Sequence, residues 1–404
     1  MTDADRAATD AANSSMASQG LRVVAIAARD ATQEDDLDES LTLLGLVGMI
    51  DPPRTEVPEA IAKARAAGIK VIMITGDSPV TAGAIAGNIG LGVSRRITGP
   101  ELDEIPDADL MDRLRDTPLF ARTRPEHKLR IVEALQRQEQ IVAMTGDGVN
   151  DAPALKRADV GIAMGQRGTD VSKNAADLVL LDANFASIVN AIAEGRRQFD
   201  TVRKFVRYLL SSNAGEVIAI VVNLALGGPL VFLPTQILWM NLITDSVTAV
   251  ALGLEKSEAD QIKSPPRKIK ERILGNRGAL TIAAFGAYTG AASLWLFYTM
   301  LPVGADLART AAFTGMVVFE KVSVFAFRSL TQPCWKIGWT SNPTLLAAFL
   351  ISFCLQLAAI YWQPMQAMLR TVPLSWDQWM PILVLALPLV VVPELLKPAF
   401  NKFR

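Results

Sequence analysis

The chain has 404 residues and a formal net charge of −1, so nothing in its charge supports a nucleic-acid-binding protein. Half of its residues are apolar, a high share for a water-soluble protein. Its single histidine, His127, excludes a histidine-rich metal site. Its two cysteines, Cys334 and Cys354, form neither a disulfide framework nor a metal-ligand spacing.

In chain order, residues 1–19 are rich in Ala, Asp and Thr and carry no apolar core, so a disordered lead-in is expected there and a signal peptide is not. Short apolar strands then alternate with amphipathic helices. Strands are predicted at Leu41–Ile50, Ile69–Thr75, Gln140–Thr145, Val160–Met164 and Asp177–Leu181, and helices at Val57–Ala67, Pro79–Ile89, Pro125–Gln136 and Asn184–Gln198. That alternation implies an α/β domain with a Rossmann-type parallel sheet, whose ligands sit at the carboxyl ends of the strands. Two strands end in the same tripeptide, Thr75-Gly76-Asp77 and Thr145-Gly146-Asp147, so two carboxylates are expected at one sheet edge.

From Phe205 onward six apolar segments, near 205–227, 230–254, 278–301, 309–329, 343–363 and 378–397, approach the length of about 20 residues that crosses a bilayer. The link 255–277 holds Lys256, Lys263, Arg267, Lys268, Lys270, Arg272 and Arg277, whereas the opposite links hold only Arg309 and Arg370. By the positive-inside rule the first half, that link and the C-terminus are cytoplasmic. The reading is a multi-pass integral membrane protein in contact with lipid, an all-α six-helix domain at 201–404 following an α/β domain at 41–200.

The strongest motif is the run Thr145-Gly146-Asp147-Gly148-Val149-Asn150-Asp151-Ala152-Pro153-Ala154-Leu155. A strand ends, two glycines allow a tight turn, and Asp147 and Asp151 project together. Two carboxylates this close repel unless a cation lies between them, and hard oxygens with room for water and phosphate suit Mg²⁺. In the membrane half, Asn213 and Glu216 lie at i and i+3 of the first span, and Asn241, Thr244 and Asp245 at i, i+3 and i+4 of the second. Glu320 lies in the fourth. Carboxylates at membrane depth point to an ion pathway, and oxygens from several helices suit a dehydrated hard cation such as Ca²⁺. Glu216 and Asp245 are expected to face each other inside the bundle. Lys321 directly follows Glu320, where it would neutralise that glutamate or snorkel away.

The eleven-residue run resembles the magnesium-binding hinge motif of P-type ATPases, whose phosphorylation domain has the haloacid-dehalogenase-like fold. Asp51-Pro52-Pro53-Arg54 resembles the hinge between the nucleotide-binding and phosphorylation domains. Thr75-Gly76-Asp77 resembles the loop that contacts the phosphoryl group, and Phe120-Ala121-Arg122 followed by Pro125-Glu126-His127-Lys128 the segment supplying a phosphate-contacting lysine. The resemblance runs from about residue 20 to 400, in the family's order, and assigns 20–40 to a remnant of a nucleotide-binding domain. It implies catalytic roles for Thr75, Gly76, Asp77, Lys128 and Asn150 and nucleotide contacts for Asp51, Arg54 and Arg122. It also implies Mg²⁺ on Asp147 and Asp151, with ATP as co-substrate. Ser211–Glu216 and Trp239–Asp245 look like the fifth and sixth transmembrane helices of calcium pumps, and Glu320 like their eighth-helix glutamate. That implies a transported cation, Ca²⁺, on Asn213, Glu216, Asn241, Thr244, Asp245 and Glu320.

The family's phosphorylated Asp-Lys-Thr-Gly-Thr motif does not occur in this sequence. The expectation is therefore the C-terminal part of an ATP-driven calcium pump, inactive alone, partnered by an N-terminal half-pump and placed in the plasma membrane. The alternative is a non-enzymatic membrane module that binds cations or a partner pump. A membrane-anchored phosphatase ranks last, since no Asp-x-Asp-x-(Thr/Val) stretch is present.

Overall fold

The computed structural model describes residues 2–29, 41–50, 52–92, 95–182, 184–256, 265–267, 269 and 271–401. The chain divides into two compact units, Met1–Ala193 with Ile262–Lys270, and Glu194–Gln261 with Glu271–Arg404.

In the first unit the expected lead-in is helical: α1 spans Asp3–Ser18. Its alanines favour helix, and the Thr2 hydroxyl accepts from the Asp5 N–H while the Asp5 carboxylate accepts from the Thr2 N–H, a reciprocal cap that composition alone does not reveal. Strands β1 (Arg22–Ala28) and β2 (Thr42–Met49) pair antiparallel, with a register shift between Ile26 and Ala27. After them come α2 (Val57–Ala66), β3 (Met73–Ile74), α3 (Pro79–Asn88), β4 (Arg96–Thr98), α4 (Gly99–Glu104), α5 (Asp107–Asp116), β5 (Leu119–Ala121) and α6 (Pro125–Arg137). The unit continues through β6 (Ala143–Gly146), a 3₁₀ turn (Val149–Asp151), α7 (Ala152–Arg157), β7 (Val160–Met164), α8 (Asp170–Ala175) and β8 (Leu178–Leu180).

The parallel strands form two three-stranded sheets, β3-β5-β4 and β6-β7-β8. The all-apolar β5 and β7 are central in each, as buried parallel strands require. Leu119, Phe120 and Ala121 of β5 are fully buried and pack with Ile97, Leu102, Leu110, Leu114 and Ile131, or with Ile61, Ala82 and Ala86. Among the described residues the two tripeptides therefore do not share a sheet edge. Met73 and Ile74 pair with Leu119 and Phe120, whereas Ala143–Gly146 pair with Val160–Ala163. A repeated tripeptide marks where a strand ends; hydrogen-bond pairing decides which neighbours the strand takes.

The second unit is helical. Helix α9 spans Phe185–Ala225, its later part lying in this unit. The unit continues through α10 (Pro234–Leu238), a π-helix (Trp239–Asp245) and α11 (Ser246–Gly253), followed by α12 (Gly275–Met300), α13 (Ala305–Phe327) and α14 (Cys334–Ile337). It closes with α15 (Pro343–Tyr361), α16 (Gln363–Leu369), α17 (Trp376–Ala386) and α18 (Pro388–Asn401). Among the described residues, five stretches are long and apolar enough to cross a membrane: Phe185–Ala225, Gly275–Met300, Ala305–Phe327, Pro343–Tyr361 and Trp376–Pro398. The remaining expected segment, 230–254, is apolar but broken, because the wide π-turn interrupts the helix between α10 and α11.

Helix α13 is the bundle's centre and is buried almost all round. It packs Phe313, Met316 and Phe319 against Phe297 and Leu296 of α12, Met240 of the π-helix and Ile382 of α17. Helices α9 and α12 touch through small residues: a Cβ on Gly215 would lie 2.1 Å from Thr289 Oγ1, and one on Gly286 2.6 Å from Ala214 Cβ. Such contacts let helix backbones approach closely within a membrane-type bundle.

Candidate functional site

Three groups of polar side chains stand out, two in the α/β unit and one in the helical unit. In the α/β unit, the chain leaving β3 turns at Thr75-Gly76-Asp77. Thr75 Oγ1 donates to Asp77 Oδ2 at 2.9 Å and accepts from the Asp77 N–H at 3.1 Å, closing the turn on itself. The neighbouring strand end locks onto it, with the Arg122 N–H donating to Asp77 O (2.9 Å) and the Thr123 N–H to Thr75 O (3.0 Å). Arg122 holds φ at 49°, a left-handed conformation that non-glycine residues seldom adopt. Its exposed side chain follows from that turn.

Beyond β6, Gly146-Asp147-Gly148 wraps around a nearly buried carboxylate. Asp151 Oδ2 accepts from the N–H groups of Asp147 and Gly148, each at 3.2 Å, and Oδ1 from Lys128 Nζ at 2.5 Å. Position 146 must be glycine, because a Cβ there would lie 2.5 Å from Asp151 Cβ. The Asp147 side chain and Asn150 are exposed, while the Asp147 carbonyl accepts from the Thr169 N–H (2.9 Å) and Ser172 Oγ (3.1 Å) at the start of α8. The repulsion expected between Asp147 and Asp151 is relieved by the protein itself: Lys128 neutralises Asp151, and Asp147 faces water.

The lone histidine is structural. His127 Nδ1 accepts from the Arg124 N–H at 3.1 Å at the start of α6, and Nε2 lies 2.8 Å from Asp103 Oδ1. Arg54 donates to the Asp182 carbonyl at 3.2 Å; Asp51 lies outside the described residues. Thr75, Asp77 and the Arg122 backbone thus form one group, and Lys128, Asp147 and Asp151 another. The strands that carry them, β3 and β6, belong to different sheets among the described residues.

In the helical unit, α9, the π-helix and α13 converge on a buried polar cluster. Glu216, Asp245, Glu320 and Lys321 are all buried, Lys321 to 1% exposure. Ser212 Oγ lies 2.7 Å from Asp245 Oδ2 and is also in contact with Glu320 Oε1. One hydroxyl carries one proton, so one of these two contacts needs a proton on the carboxyl group or a cation beside it. Lys321 Nζ donates to Asp245 Oδ1 (2.6 Å), Tyr208 Oη (3.0 Å) and Thr248 Oγ1 (3.3 Å), and Tyr208 Oη donates to Asp245 Oδ1 at 3.3 Å. Asn241 Nδ2 donates to Glu216 Oε2 at 3.0 Å. One oxygen of each glutamate, Glu216 Oε1 and Glu320 Oε2, is buried without a hydrogen-bond partner.

The expected ion-site residues divide accordingly. Asp245 and Glu320 meet through Ser212, and Glu216 is bonded to Asn241 one helical turn beyond Ser212 on α9. Thr244 and Asn213 turn to their own helices, donating to Met240 O (2.9 Å) and Leu209 O (3.0 Å). Among the described residues no three His, Cys, Asp or Glu side chains are gathered closely enough to hold a metal ion by themselves. The Ser212 hydroxyl stands between Asp245 and Glu320, and the Asn241 amide bonds Glu216 alone among the carboxylates. Lys321 neither snorkels nor pairs with Glu320. Successive side chains on a helix diverge by about 100°, and on a helix buried all round that turn leads to Asp245 and not to lipid. Sequence reasoning missed Tyr208, Ser212 and Thr248. The available signal was the four-residue spacing of Tyr208, Ser212 and Glu216 along one face of α9.

Comparison with known proteins agrees with this division. Residues 229–399 match the family described as Cation transporting ATPase, C-terminus, and residues 9–159 and 129–192 match two haloacid dehalogenase-like hydrolase families. The chain is 42% identical over 385 residues to a calcium-transporting ATPase of Bacillus subtilis, covering 93% of this chain and 43% of that protein. It is 41% identical over 405 residues to calcium-transporting ATPase 1 of Lactococcus lactis, covering 98% of the chain and 46% of that protein. To the endoplasmic reticulum-type calcium-transporting ATPase 3 of Arabidopsis thaliana it is 38% identical over 440 residues, covering 98% and 44%. The chain thus spans less than half the length of these curated relatives.

Proposed function

This chain is, over nearly its whole length, a relative of the C-terminal part of P-type cation-transporting ATPases, and from that premise we propose that it forms the membrane ion site and the phosphate-handling loops of an ATP-driven calcium pump. The observation that carries the proposal is the pair of buried, unpartnered carboxylate oxygens, Glu216 Oε1 and Glu320 Oε2, beside Asp245. An unsatisfied buried acceptor is costly, and a carboxylate within an apolar bundle marks an ion path. A hard cation arriving there gains oxygen ligands that the protein leaves open. Glu216 and Glu320 are the principal ligands in this reading, with Asp245 and the Asn241 amide beside them. Thr244 and Asn213 would join only by turning from their backbone acceptors.

In the α/β unit, the exposed Asp147 carboxylate fits a Mg²⁺ whose shell water and phosphate complete, and Asp151 would join it by sharing oxygens that now hold Lys128 and two loop N–H groups. Lys128, Asn150 and Thr75-Gly76-Asp77 would contact a phosphoryl group, and Asp51, Arg54 and Arg122 the nucleotide side. Bound there, Mg²⁺ supplies neutralisation of phosphoryl charge. The chain's own residues hold the loops: Asp151 gathers the Asp147 and Gly148 N–H groups, and Lys128 keeps a positive charge at the same point. We place the protein in the plasma membrane with both termini cytoplasmic, working with a partner segment that carries the phosphorylated aspartate.

Calcium binding to the chain in lipid nanodiscs tests the ion site. Glu216→Gln and Glu320→Gln should each weaken binding on the order of tenfold or more, since affinity follows the count of charged ligands. Calcium binding indifferent to both substitutions, or none at millimolar calcium, would reject the reading. In the latter case the non-enzymatic reading that invokes a partner pump would be preferred.

A further inference from the structure

At the end of α11 remote from the π-helix, a second buried ion pair joins helices that carry the carboxylate cluster. Arg328, directly after α13, and Glu255, two residues after α11, are 1% and 2% exposed. All five guanidinium N–H groups are engaged. Nε and Nη2 donate to Glu255 Oε2 and Oε1 at 3.1 and 2.9 Å, a fork that fixes direction as well as distance. Nη1 donates to the carbonyls of Gly338 (3.0 Å) and Trp339 (3.1 Å), and Nη2 also to Ser341 Oγ (2.5 Å). Asn342, the cap of α15, donates to Glu255 Oε2 at 3.0 Å and to Ala251 O of α11 at 3.1 Å. Arg197 of α9 donates to the Glu255 carbonyl at 3.2 Å. One node therefore holds the ends of α11, α13 and α15 and a point on α9.

We propose that Arg328 and Glu255 are positioning residues for cation binding: their ion pair sets the register of α11 against α13, and so the approach of Asp245 to Glu320. The inference rests on the ion-site reading above and adds what holds the geometry of that site. A buried ion pair is poor evidence for stability, because desolvation offsets the attraction and a well-packed apolar pair is often as stable. What the fork supplies is geometry. Asp245 lies ten residues before Glu255, and Glu320 eight before Arg328, roughly 15 and 12 Å along their helices. At that distance neither residue of the pair touches the ion. The π-helix makes such an anchor necessary. Its wider turn accommodates an extra residue, so regular α-helical hydrogen bonds do not carry the register of α11 back to α10. A slip of one residue moves α11 by about 1.5 Å. That exceeds what the bonds to Asp245 tolerate, from Lys321 Nζ at 2.6 Å and from Ser212 Oγ at 2.7 Å.

The test measures calcium affinity, by equilibrium dialysis with labelled calcium, beside the thermal midpoint of the full chain in nanodiscs. The double variant Arg328→Met with Glu255→Leu removes both charges at once, so neither is left buried alone. It should bind calcium about tenfold more weakly than the unmodified chain, as loss of outer support does at metal sites. The control, Glu394→Gln with Lys397→Met, removes a buried pair that lies within α18 alone. It should leave calcium affinity unchanged whatever its midpoint. Unchanged affinity in the folded Arg328/Glu255 double variant, or an equal loss in the control, would overturn the proposal and reduce the node to ordinary bundle packing. Should that double variant fail to fold, Arg328→Lys decides. It keeps the charge but replaces the planar fork with three donors on one nitrogen, and calcium affinity equal to that of the unmodified chain overturns the proposal. Glu320→Gln and Glu216→Gln separate this failure from that of the ion-site reading. Calcium weakened by either of them, yet untouched by the Arg328 variants, rejects only the positioning role. Calcium insensitive to both rejects the site itself, and the inference with it.

Discussion

Lys128 on α6 and Asp151 in the turn after β6 form an ion pair of 2.5 Å, with the carboxylate 8% exposed and the lysine 21%. The pair fastens the most recognisable motif of the sequence to the helix that precedes it, and Asp151 in turn gathers the loop N–H groups of Asp147 and Gly148. Lys128→Ala leaves a nearly buried carboxylate without its counter-charge and should destabilise the α/β unit by about 1–3 kcal/mol. Asp151→Asn should recover part of that loss when combined with it, with a coupling of about 0.5–3 kcal/mol. Hydrogen exchange of the amides at 146–151 in the four chains of the cycle measures this; strictly additive losses would show the pair to be incidental.

Gly146→Ala should be poorly tolerated, since the new Cβ meets Asp151 Cβ at 2.5 Å. Forced overpacking of this kind costs about 1–3 kcal/mol. Gly83, inside α3, is the control: a Cβ there meets only the end of the Arg96 side chain, at 3.7 Å. Gly83→Ala should be neutral or stabilising by about 0.5–1 kcal/mol. Thermal unfolding of both variants should separate them, and equal midpoints would contradict the packing argument.

The Asp103 carboxyl is held below its ordinary value, first by its hydrogen bond with His127 and then by the His127 and Arg124 charges. A depressed carboxyl pKa contributes stability that is present above its unfolded value, about 3.9, and is lost as pH falls through the folded value. Asp103→Asn should therefore flatten the acid limb of the stability curve below about pH 4, and only slightly, because Asp103 is solvent-exposed. The Arg124 N–H donates to Nδ1, so neutral His127 carries its proton on Nε2. With one histidine in the chain, nitrogen NMR reads that tautomer directly. A Nδ1-protonated ring would contradict the geometry.

The 404-residue chain by itself should form no phosphoenzyme, because the aspartate motif that P-type ATPases phosphorylate does not occur in its sequence. Incubation with γ-labelled ATP and Mg²⁺ should leave no acid-stable, hydroxylamine-sensitive label. Supplying a segment that bears the motif should restore labelling, diminished by Lys128→Ala. Label on the chain alone would require a different nucleophile.

Much of the α/β order was legible from residue pattern. The apolar run at Val160–Met164 is a strand with the expected bounds, and Pro79 and Pro125 open helices where a fixed φ and a missing N–H do no harm. Glycine and carboxylate spacing in Thr145–Leu155 likewise identified the loop, because tight turns and paired carboxylates are local demands that neighbouring residues must meet. Periodicity and apolar length also placed Glu216, Asp245 and Glu320 on helices whose faces must turn inward.

Only the tertiary structure decided the rest. Whether β3 and β6 share a sheet depends on hydrogen bonds to β5 and β7, residues distant in sequence. The π-helix at Trp239–Asp245 within segment 230–254 carries no mark in the composition of that segment. Lys321 is the clearest case. Its sequence neighbour is Glu320, yet its ammonium binds Asp245, 76 positions earlier, because α13 is buried on every side and each residue's partner is set by the helix it faces. Charge along the chain determined that a cation and three carboxylates lie in the bundle. Packing determined which carboxylate the lysine neutralises and which two glutamates keep an open oxygen.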